Sequence, residues 1–447
     1  MQAEIVVMGC GIAGTMAAVA AARMGRRVLA IDEAGYPGGS LTAMGTGPMM
    51  TFHAGQEQVI RGLPQELIDR LMEAGESPGH CVDSTGYTYT VTPFSAEGMK
   101  SALEQMMLEA GVTLLYHTTV IGARVRENRL TEIECFACGQ RFEVSAEVFI
   151  DATGDADVLA MAGVPYAQGR VADGKDQPMT MNFKVCNVDT ARIRALMADH
   201  PEQFPHLAPK AGIERQALRL SVYGFDELVR EAANAGELTV DRDTVFCFET
   251  NTAREMIVNM SRVTGENSLD PLSFSRAETE GRRQVREIFA FLKARVPGFE
   301  EARLEMSGPG IGVRSSRRML GDYVLTAEDI LGNRLFEDDV AVCGYPIDIH
   351  SSDGAKTKSR FLRWGTVYGI PYRCLTNSTV GNLMAAGRNI SCTFEAQAST
   401  RVSPCCAALG HAAGAAAALA VAKSCMPNQV DVHLLRQTLQ KQGAYIQ

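Results

Sequence analysis

Residues 4–33, EIVVMGCGIAGTMAAVAAARMGRRVLAIDE, read as strand, glycine turn, helix and strand. The apolar runs at 5–8 and 27–31 have the continuous hydrophobicity of strands covered on both faces, and 13–23 between them is helical in composition. Gly9, Gly11 and Gly14 form G-x-G-x-x-G at the first strand–helix junction. The first glycine permits the tight turn, the second lets a pyrophosphate approach the backbone, and the third lets helix and strand pack closely. The helix N-terminus adds positive potential toward the phosphates. Asp32 ends the second strand 18 positions beyond Gly14, where a carboxylate accepts hydrogen bonds from a ribose. A glycine triplet alone also fits a tight turn without ligand. Strand, helix, strand and terminal acid in register point to a bound dinucleotide.

Distant segments indicate which dinucleotide. Gly38-Gly39 follow Asp32, an ATG turn (152–154) follows an apolar strand at 148–151, and another apolar strand ends in Gly387-Arg388. A nicotinamide domain needs none of these, whereas a flavin enzyme reuses such segments to enclose a longer cofactor. FAD is the expected cofactor. SGPGIGV (307–313) is not a second fingerprint, because Pro309 and the lack of a preceding apolar strand break it. A small-molecule substrate acting directly, or a separate electron donor or acceptor, is therefore expected rather than an internal nicotinamide relay.

Composition sets the outer bounds. A chain of 447 residues with 46% hydrophobic and 21% charged residues is globular and long enough for two domains. Its net charge of −9 disfavours nucleic-acid or anionic-membrane partners, and the basic cluster RSSRR (314–318) suits a local anion site. No secretory signal is expected from MQAEIVVMGCG, and twelve cysteines without one read as reduced cytoplasmic thiols. The alanine-rich stretch 405–422, interrupted by Gly410, His411 and Gly414, reads as too short and too weakly hydrophobic for a bilayer span. A homo-oligomer is compatible with all of this.

Between the first unit and the strand at 148–151, the chain reads as a helix, a strand and a hairpin-like pair. After about 165 the pattern changes to mixed alternation and amphipathic helices such as 276–295. Apolar strands return from about 335. The expected fold is α/β: a Rossmann-like FAD-binding domain from residues 1–164 and 331–447, with an α+β substrate or cap domain inserted at 165–330.

The segments GCGIAG, DEAGYPGGSLTAMG, IDATGDADVLAMAG, PMTMNFKVCNVD, GVRSSRRMLGDYVLTAEDI, YPIDIH, GIPYRCL and LMAAGRNISCTFEAQASTRVSPCCAALGHAAGAAAA together resemble a bacterial FAD-dependent oxidoreductase family. That family has the glutathione-reductase-type FAD fold and is related to heterodisulfide reductase flavin subunits. The resemblance spans nearly the whole chain. It implies that Gly9, Gly11, Ile12, Ala13 and Gly14 hold the pyrophosphate, and that Asp32, with Glu33 beside it, holds the adenosine ribose. Gly38, Gly39 and Ser40 would run beside the ribityl chain. Val120 would give backbone contacts to adenine, and Ala152 to Gly154 would pass near the pyrophosphate or ribose. Gly387, Arg388 and Asn389 would contact the ribityl–pyrophosphate side. The alanine-rich helix would aim its N-terminus at the flavin pyrimidine, where a reduced flavin carries negative charge.

Candidate chemistry clusters in three places. In YPIDIH, Asp348 and His350 lie two apart on one strand face, with Tyr345 before them. His350 is a candidate proton donor or acceptor oriented by Asp348, or part of a polar loop edge. Arg314, Arg317, Arg318 and Arg401 suit an anionic substrate or a flavin anion, or ordinary ion pairs. Of these, Arg401 precedes the flavin-facing helix. Tyr372-Arg373 line the substrate side or pack in the core. CFACG (135–139) suits a hairpin turn, since no second Cys or His pair at zinc spacing accompanies it, and no metal site is expected. Met44, Met49 and Met50 line an apolar pocket or simply pack.

Cys405 and Cys406 fall in the first turn of the alanine-rich helix, with Ser403 as expected N-cap and Pro404 at N1. Neighbouring Cα atoms are about 3.8 Å apart, too close for an unstrained disulfide. Cys406 is expected at the flavin end, either as a low-pKa thiol touching substrate or as a small packing residue. The second reading would make it act as Gly410 and Gly414 do, letting the helix approach the cofactor. The leading function is an FAD-dependent oxidoreductase transferring a hydride between flavin N5 and a small, anionic organic substrate. A flavin electron-transfer subunit of a disulfide- or heterodisulfide-type reductase is the alternative, and a flavin-binding sensor without turnover is a third reading.

Overall fold

The computed structural model describes residues 1–205, 215–354 and 357–446. Part of the expected insert, 206–214, lies outside the described residues.

The opening stretch forms the strand Ile5–Met8, the helix Ile12–Arg23 and the strand Val28–Ile31. Every residue of both strands is buried, as expected of parallel strands covered on both sides. They join a five-stranded parallel sheet in the order Leu383–Ala385, Val148–Asp151, Ile5–Met8, Val28–Ile31, Thr113–Leu115. The chain runs outward from the first strand to one edge, then returns to the other side at Val148–Asp151. The switch point therefore lies beyond the carboxyl ends of Ile5–Met8 and Val148–Asp151, where open α/β sheets bind their ligands. The protein has a mixed α/β, Rossmann-like fold.

The alanine-rich segment forms the 21-residue helix Ser403–Lys423, buried all the way round from Pro404 to Leu419 except at Ala408. It is long and apolar enough to cross a bilayer, contrary to the reading of its composition. Its burial against other elements identifies it as a core helix. Gly410 and Gly414 face the helix Ile12–Arg23. A Cβ at Gly410 would lie 2.0 Å from the Ala13 carbonyl oxygen, and one at Gly414 would lie 2.1 Å from that of Ala17. The two glycines thus bring helix against helix and not helix against cofactor. Val402, not Ser403, is the N-cap, with no side-chain cap, and Pro404 sits in the first turn.

A three-stranded antiparallel sheet (Thr119–Arg126, Arg129–Ala137, Gln140–Ser145) flanks the parallel one. Cys138 and Gly139, both at positive φ, turn its second hairpin, with Cys135 buried and Cys138 exposed.

A second antiparallel sheet has the order Ser221–Gly224, Val245–Glu249, Met256–Val258, Phe183–Cys186, Arg303–Ser307. The 25-residue helix Pro271–Arg295 belongs to the same part, capped by the Asp270 carboxylate on the Ser273 amide. Two hydrophobic clusters follow this arrangement. One contains the parallel sheet and both long helices around it; the other draws only on residues between Met179 and Val313. Met319, Leu325, Ala327 and Ile330 pack with the first cluster.

Candidate active site

The glycines of the opening stretch build a tight backbone cradle at the switch point. Gly9 has φ +93°, and a Cβ there would lie 2.5 Å from the Ala152 carbonyl oxygen on the neighbouring strand's end. A Cβ at Gly14 would lie 1.8 Å from the Gly9 carbonyl oxygen. Gly11 pairs with Gly38, and the Gly38 amide donates to the Cys10 carbonyl at 2.8 Å. Gly39 comes so close to Gly11 that a Cβ would lie 2.9 Å from its Cα. Gly387, at φ +102°, packs against Ala13. The cradle therefore unites Gly9, Gly11, Ile12, Ala13, Gly14, Gly38, Gly39, Ala152 and Gly387 from four distant segments.

Asp32 is oriented toward this loop: its carboxylate accepts from the Cys10 amide at 2.5 Å and the Ala34 amide at 2.8 Å. Burial raises its pKa against those two hydrogen bonds. Glu33 stands beside it, its pKa raised by desolvation against the fold and then by Asp32. Val120 lies two residues beyond Thr118, whose amide donates to the Asp32 carbonyl. Arg388 spans the far side, donating to the carbonyls of Gly154 at 2.8 Å and Val313 at 2.9 Å and to Asp155 at 2.6 Å. Asn389 donates to the Asp151 carbonyl at 3.0 Å.

These residues fit FAD on observations of the chain itself. The helix Ile12–Arg23 has no side-chain cap and no acid in its first turn, so its first amides are available to a phosphate. Apart from the Gly39 Cα at 3.9 Å, nothing stands where a Gly11 side chain would project. Asn389 Oδ1 and Gln397 Oε1, which flank the Arg388 carbonyl, are buried acceptors without donors, as suits a ligand rich in hydroxyls.

A cavity of about 480 Å³ opens between the second antiparallel sheet and the cofactor side. Ser40, Arg388, Val402 and Ser403 line it from the cofactor side, together with Asp348, His350, Arg314 and Arg401. His350 Nε2 lies 3.3 Å from Asp348 Oδ2, and its Nδ1 lies 3.2 Å from the Thr357 hydroxyl. The Tyr345 hydroxyl donates to the same Asp348 oxygen at 3.4 Å. Burial, then Arg314, pushes His350 down to about 3 although Asp348 pulls the other way. Burial would raise Asp348, but His350, Arg401 and Arg314 outweigh it and hold the carboxyl well below its usual range. At neutral pH the pair is therefore an ionised Asp348 beside a neutral His350.

Two expected residues lie elsewhere. Tyr372 is buried in the core, its hydroxyl donating to the Pro427 carbonyl at 2.7 Å, and its neighbour Arg373 pairs with Asp338. Cys406 is buried outside the cavity lining, its thiol donating to the Thr400 carbonyl at 3.6 Å. Burial raises that thiol to about 12, so the low-pKa reading of Cys406 fails: desolvation outweighs its place in the first helical turn and the nearby arginines. Cys405 interacts with Cys343, and both are buried free thiols. Arg317 pairs with Asp157, and buried Arg318 donates to the carbonyls of Cys392 and Gly169, so neither lines the cavity. Met44 and Met50 line it, while Met49 is core. Among the described residues, no three His, Cys, Asp or Glu side chains gather as a metal site.

Sequence reasoning missed Arg242, Tyr223, Phe246, Phe248 and Tyr87, which also line the cavity. VFCFE (245–249) carried a signal: its alternation puts Phe246 and Phe248 on one sheet face, with Tyr223 opposite Phe246.

A glycine cradle at the switch point of a parallel sheet, opening toward a cavity with a carboxylate–histidine pair, defines a dinucleotide-binding redox protein. The chain belongs to the FAD-dependent oxidoreductase family, which it matches over residues 4–439. It is accordingly an FAD-dependent oxidoreductase, with FAD as its cofactor. Similar solved structures include the flavin-dependent brominase Bmp2, at 13% identity and TM-score 0.51, covering 99% of this chain and 83% of that one. A geranylgeranyl bacteriochlorophyll reductase-like protein from Thermoplasma acidophilum is 11% identical (TM-score 0.47; 99% and 84% covered). L-proline dehydrogenase from P. horikoshii is 10% identical (TM-score 0.48; 100% and 99% covered). No curated protein matches the chain significantly.

Proposed function

We propose that the enzyme transfers a hydride between FAD and a small anionic organic substrate held in this cavity, with His350 handling the accompanying proton. The observation that carries this reading is that the His350–Asp348 pair shares one cavity with Ser40, Arg388 and Ser403 from the cofactor side. When bound, FAD supplies the hydride acceptor or donor at N5. Gly9, Gly11, Ile12, Ala13 and Gly14 hold its pyrophosphate, Asp32 its ribose, and Gly38, Gly39, Ser40, Gly387, Arg388 and Asn389 the remainder, in a glutathione-reductase-type arrangement. Within the expected insert 165–330, the part built on the second cluster, between Met179 and Val313, acts as the substrate domain.

Asp348 fixes the tautomer of His350 with the hydrogen on Nε2, leaving the Nδ1 lone pair toward Thr357 and the cavity. Nδ1 then takes the substrate proton in the oxidative direction and returns it in the reductive one. Asp348 stabilises the transient imidazolium. Arg314 and Arg401 hold the anionic group.

The heterodisulfide-type alternative is less well supported. Cys343 and Cys405, whose thiols interact, are both buried and outside the cavity lining. The test is an anaerobic screen of small organic acids, alcohols and amines, watching the flavin absorbance. Bleaching by an acid supports the reading. Bleaching by none, with no acid reoxidising the reduced flavin, sinks it.

A further inference from the structure

The cavity's charges do not balance within the protein. Arg242, Arg314 and Arg401 all line it, and Arg314 is repelled by the other two, yet none forms an ion pair within 4 Å among the described residues. Two carboxylates line it with them: exposed Asp243, which acts on Arg242, and buried Asp348, already engaged by His350 and Tyr345, so that, apart from Arg388 with its partner Asp155, three guanidiniums face two acids. Desolvated guanidiniums outnumbering their counter-charge are costly unless an anion completes the site.

The donors left over have a particular form. Arg314 spends Nη1 on the Pro178 carbonyl at 2.6 Å and on the Thr180 hydroxyl, whereas Nη2 reaches only Asn259 Oδ1 at 3.5 Å. Arg401 reaches the Asp348 carbonyl at 3.3 Å and Gln177 Oε1 at 3.5 Å, and its Nε is buried without a partner. No lysine is among the described residues that line the cavity. Two incompletely used guanidinium edges, rather than a ring of point charges, match a planar two-oxygen anion.

The second sheet supplies the other half. Phe246 and Phe248 project from one face of Val245–Glu249, their ring centroids 4.6 Å apart, and Tyr223 on the adjacent strand lies 5.1 Å from Phe246. Met44 and Met50 extend this apolar lining. Such a surface favours a flat or hydrocarbon body and gives little to a compact, fully polar acid.

Resting on the proposed use of this cavity, we infer that the substrate is an amphipathic monocarboxylic acid: its carboxylate lies between Arg314 and Arg401, and its aryl or similar apolar body lies on Tyr223, Phe246 and Phe248. Compact dicarboxylates are disfavoured by the aromatic wall, and phosphorylated compounds, close to dianionic at neutral pH, by a site left with one more guanidinium than it has carboxylates.

The test is a set of equilibrium titrations of the FAD-loaded enzyme, read as perturbation of the oxidised flavin spectrum, with 3-phenylpropanoate, 3-phenylpropanamide, succinate and phenylphosphonate. The expected result is that 3-phenylpropanoate binds at least about tenfold more tightly than the amide, which lacks the charge-assisted bonds. It should also outcompete succinate and phenylphosphonate. Arg401→Lys should weaken the acid but not the amide, and Phe246→Leu should weaken both while sparing succinate. Equal affinity for acid and amide, tighter binding of succinate or phenylphosphonate, or no response to any probe would overturn the inference. In each case the proposed function stands if the anaerobic screen still finds an acid that bleaches the flavin. That function fails separately, if no acid exchanges electrons with the flavin.

Discussion

The cofactor cradle and the substrate cavity are built by opposite means. The cradle is made of backbone: at Gly9, Gly14 and Gly39 a single added carbon would collide with main-chain atoms. The cavity is made of side chains reaching in from segments far apart in sequence, among them Arg242, Arg314, His350 and Arg401. A backbone site tolerates almost no change at its narrowest points but is indifferent to chemistry. A side-chain site tolerates change in its frame, and its chemistry resides in a few groups. Substitutions should therefore abolish folding and flavin binding together in the first region, and separate them from turnover in the second.

The sharpest way to break this contrast is Gly14→Ala. Its methyl would sit 1.8 Å from the Gly9 carbonyl oxygen, a backbone atom that cannot swing away as a side chain can. The expected cost is at the upper end for a point substitution, about 4 kcal/mol or more, with loss of bound flavin. Purification of Gly14→Ala with full flavin content and an unchanged Tm would show that the cradle is looser than described. Gly410→Ala tests the same logic away from the cofactor, since its methyl would meet the Ala13 carbonyl oxygen at 2.0 Å.

In the cavity, His350→Asn should keep the flavin and lower kcat by about 10²–10⁴-fold, the usual contribution of a positioned acid–base group. The pH dependence sharpens the point. Because burial and Arg314 push His350 to about 3, it remains a neutral base well below the ordinary histidine range. The rate of proton-accepting turnover should therefore show no acid limb near pH 6.5. A kcat/KM profile falling tenfold per pH unit below 6.5, and losing that limb in His350→Asn, would mean that the imidazole is far more solvated than its surroundings indicate.

The contrast also explains what was legible in the sequence. The cradle was readable because glycines at fixed spacing, placed between a strand and a helix, leave few backbone solutions. Asp32, Gly38-Gly39 and Gly387 gather around that glycine turn, through the Cys10 amide, the Gly11 backbone and Ala13. In the cavity, Asp348 and His350 were readable because a strand puts alternate residues on one face. Arg314 was not distinguishable from Arg317 and Arg318 by pattern: all three follow the same glycines, and only packing sends Arg317 to Asp157 and Arg318 to the Cys392 carbonyl. Tyr372 was misplaced for the same reason. A tyrosine can present its hydroxyl to a substrate or to a buried carbonyl, and here Pro427 receives it. Gly410 and Gly414 showed that something approaches the alanine-rich helix but not what; it is the helix Ile12–Arg23.

Outside both regions, His80 and His411 give a smaller, global effect. His80 lies between Thr92 and Gln65, and His411 lies against Gln442 at 2.7 Å. Burial lowers each to about 4. The unfolded chain takes up protons on both near pH 6.5 while the folded one does not until about pH 4, so stability must fall as pH drops through that window. The slope is at most about 1.4 kcal/mol per pH unit for each histidine. Thermal melts from pH 7 to 4.5 should show a declining Tm, flattened in a His80→Gln, His411→Gln double variant. A slope unchanged by the double substitution would assign the decline to other groups.

The smallest effect is expected at Cys406, although it stands in the first turn of a helix whose N-terminus opens on the cavity. Position alone argues for a reactive thiolate, because a helix N-terminus lowers thiol pKa values. Burial argues the other way and dominates: the thiol is raised to about 12 and donates to the Thr400 carbonyl. Cys406→Ser preserves both the size and that donor, so it should cost about 1 kcal/mol of stability and change turnover by less than about tenfold. Iodoacetamide should likewise leave Cys406 unmodified in the folded enzyme at neutral pH. Loss of turnover in Cys406→Ser with flavin still bound would move this residue from the packing of the helix into the chemistry of the cavity.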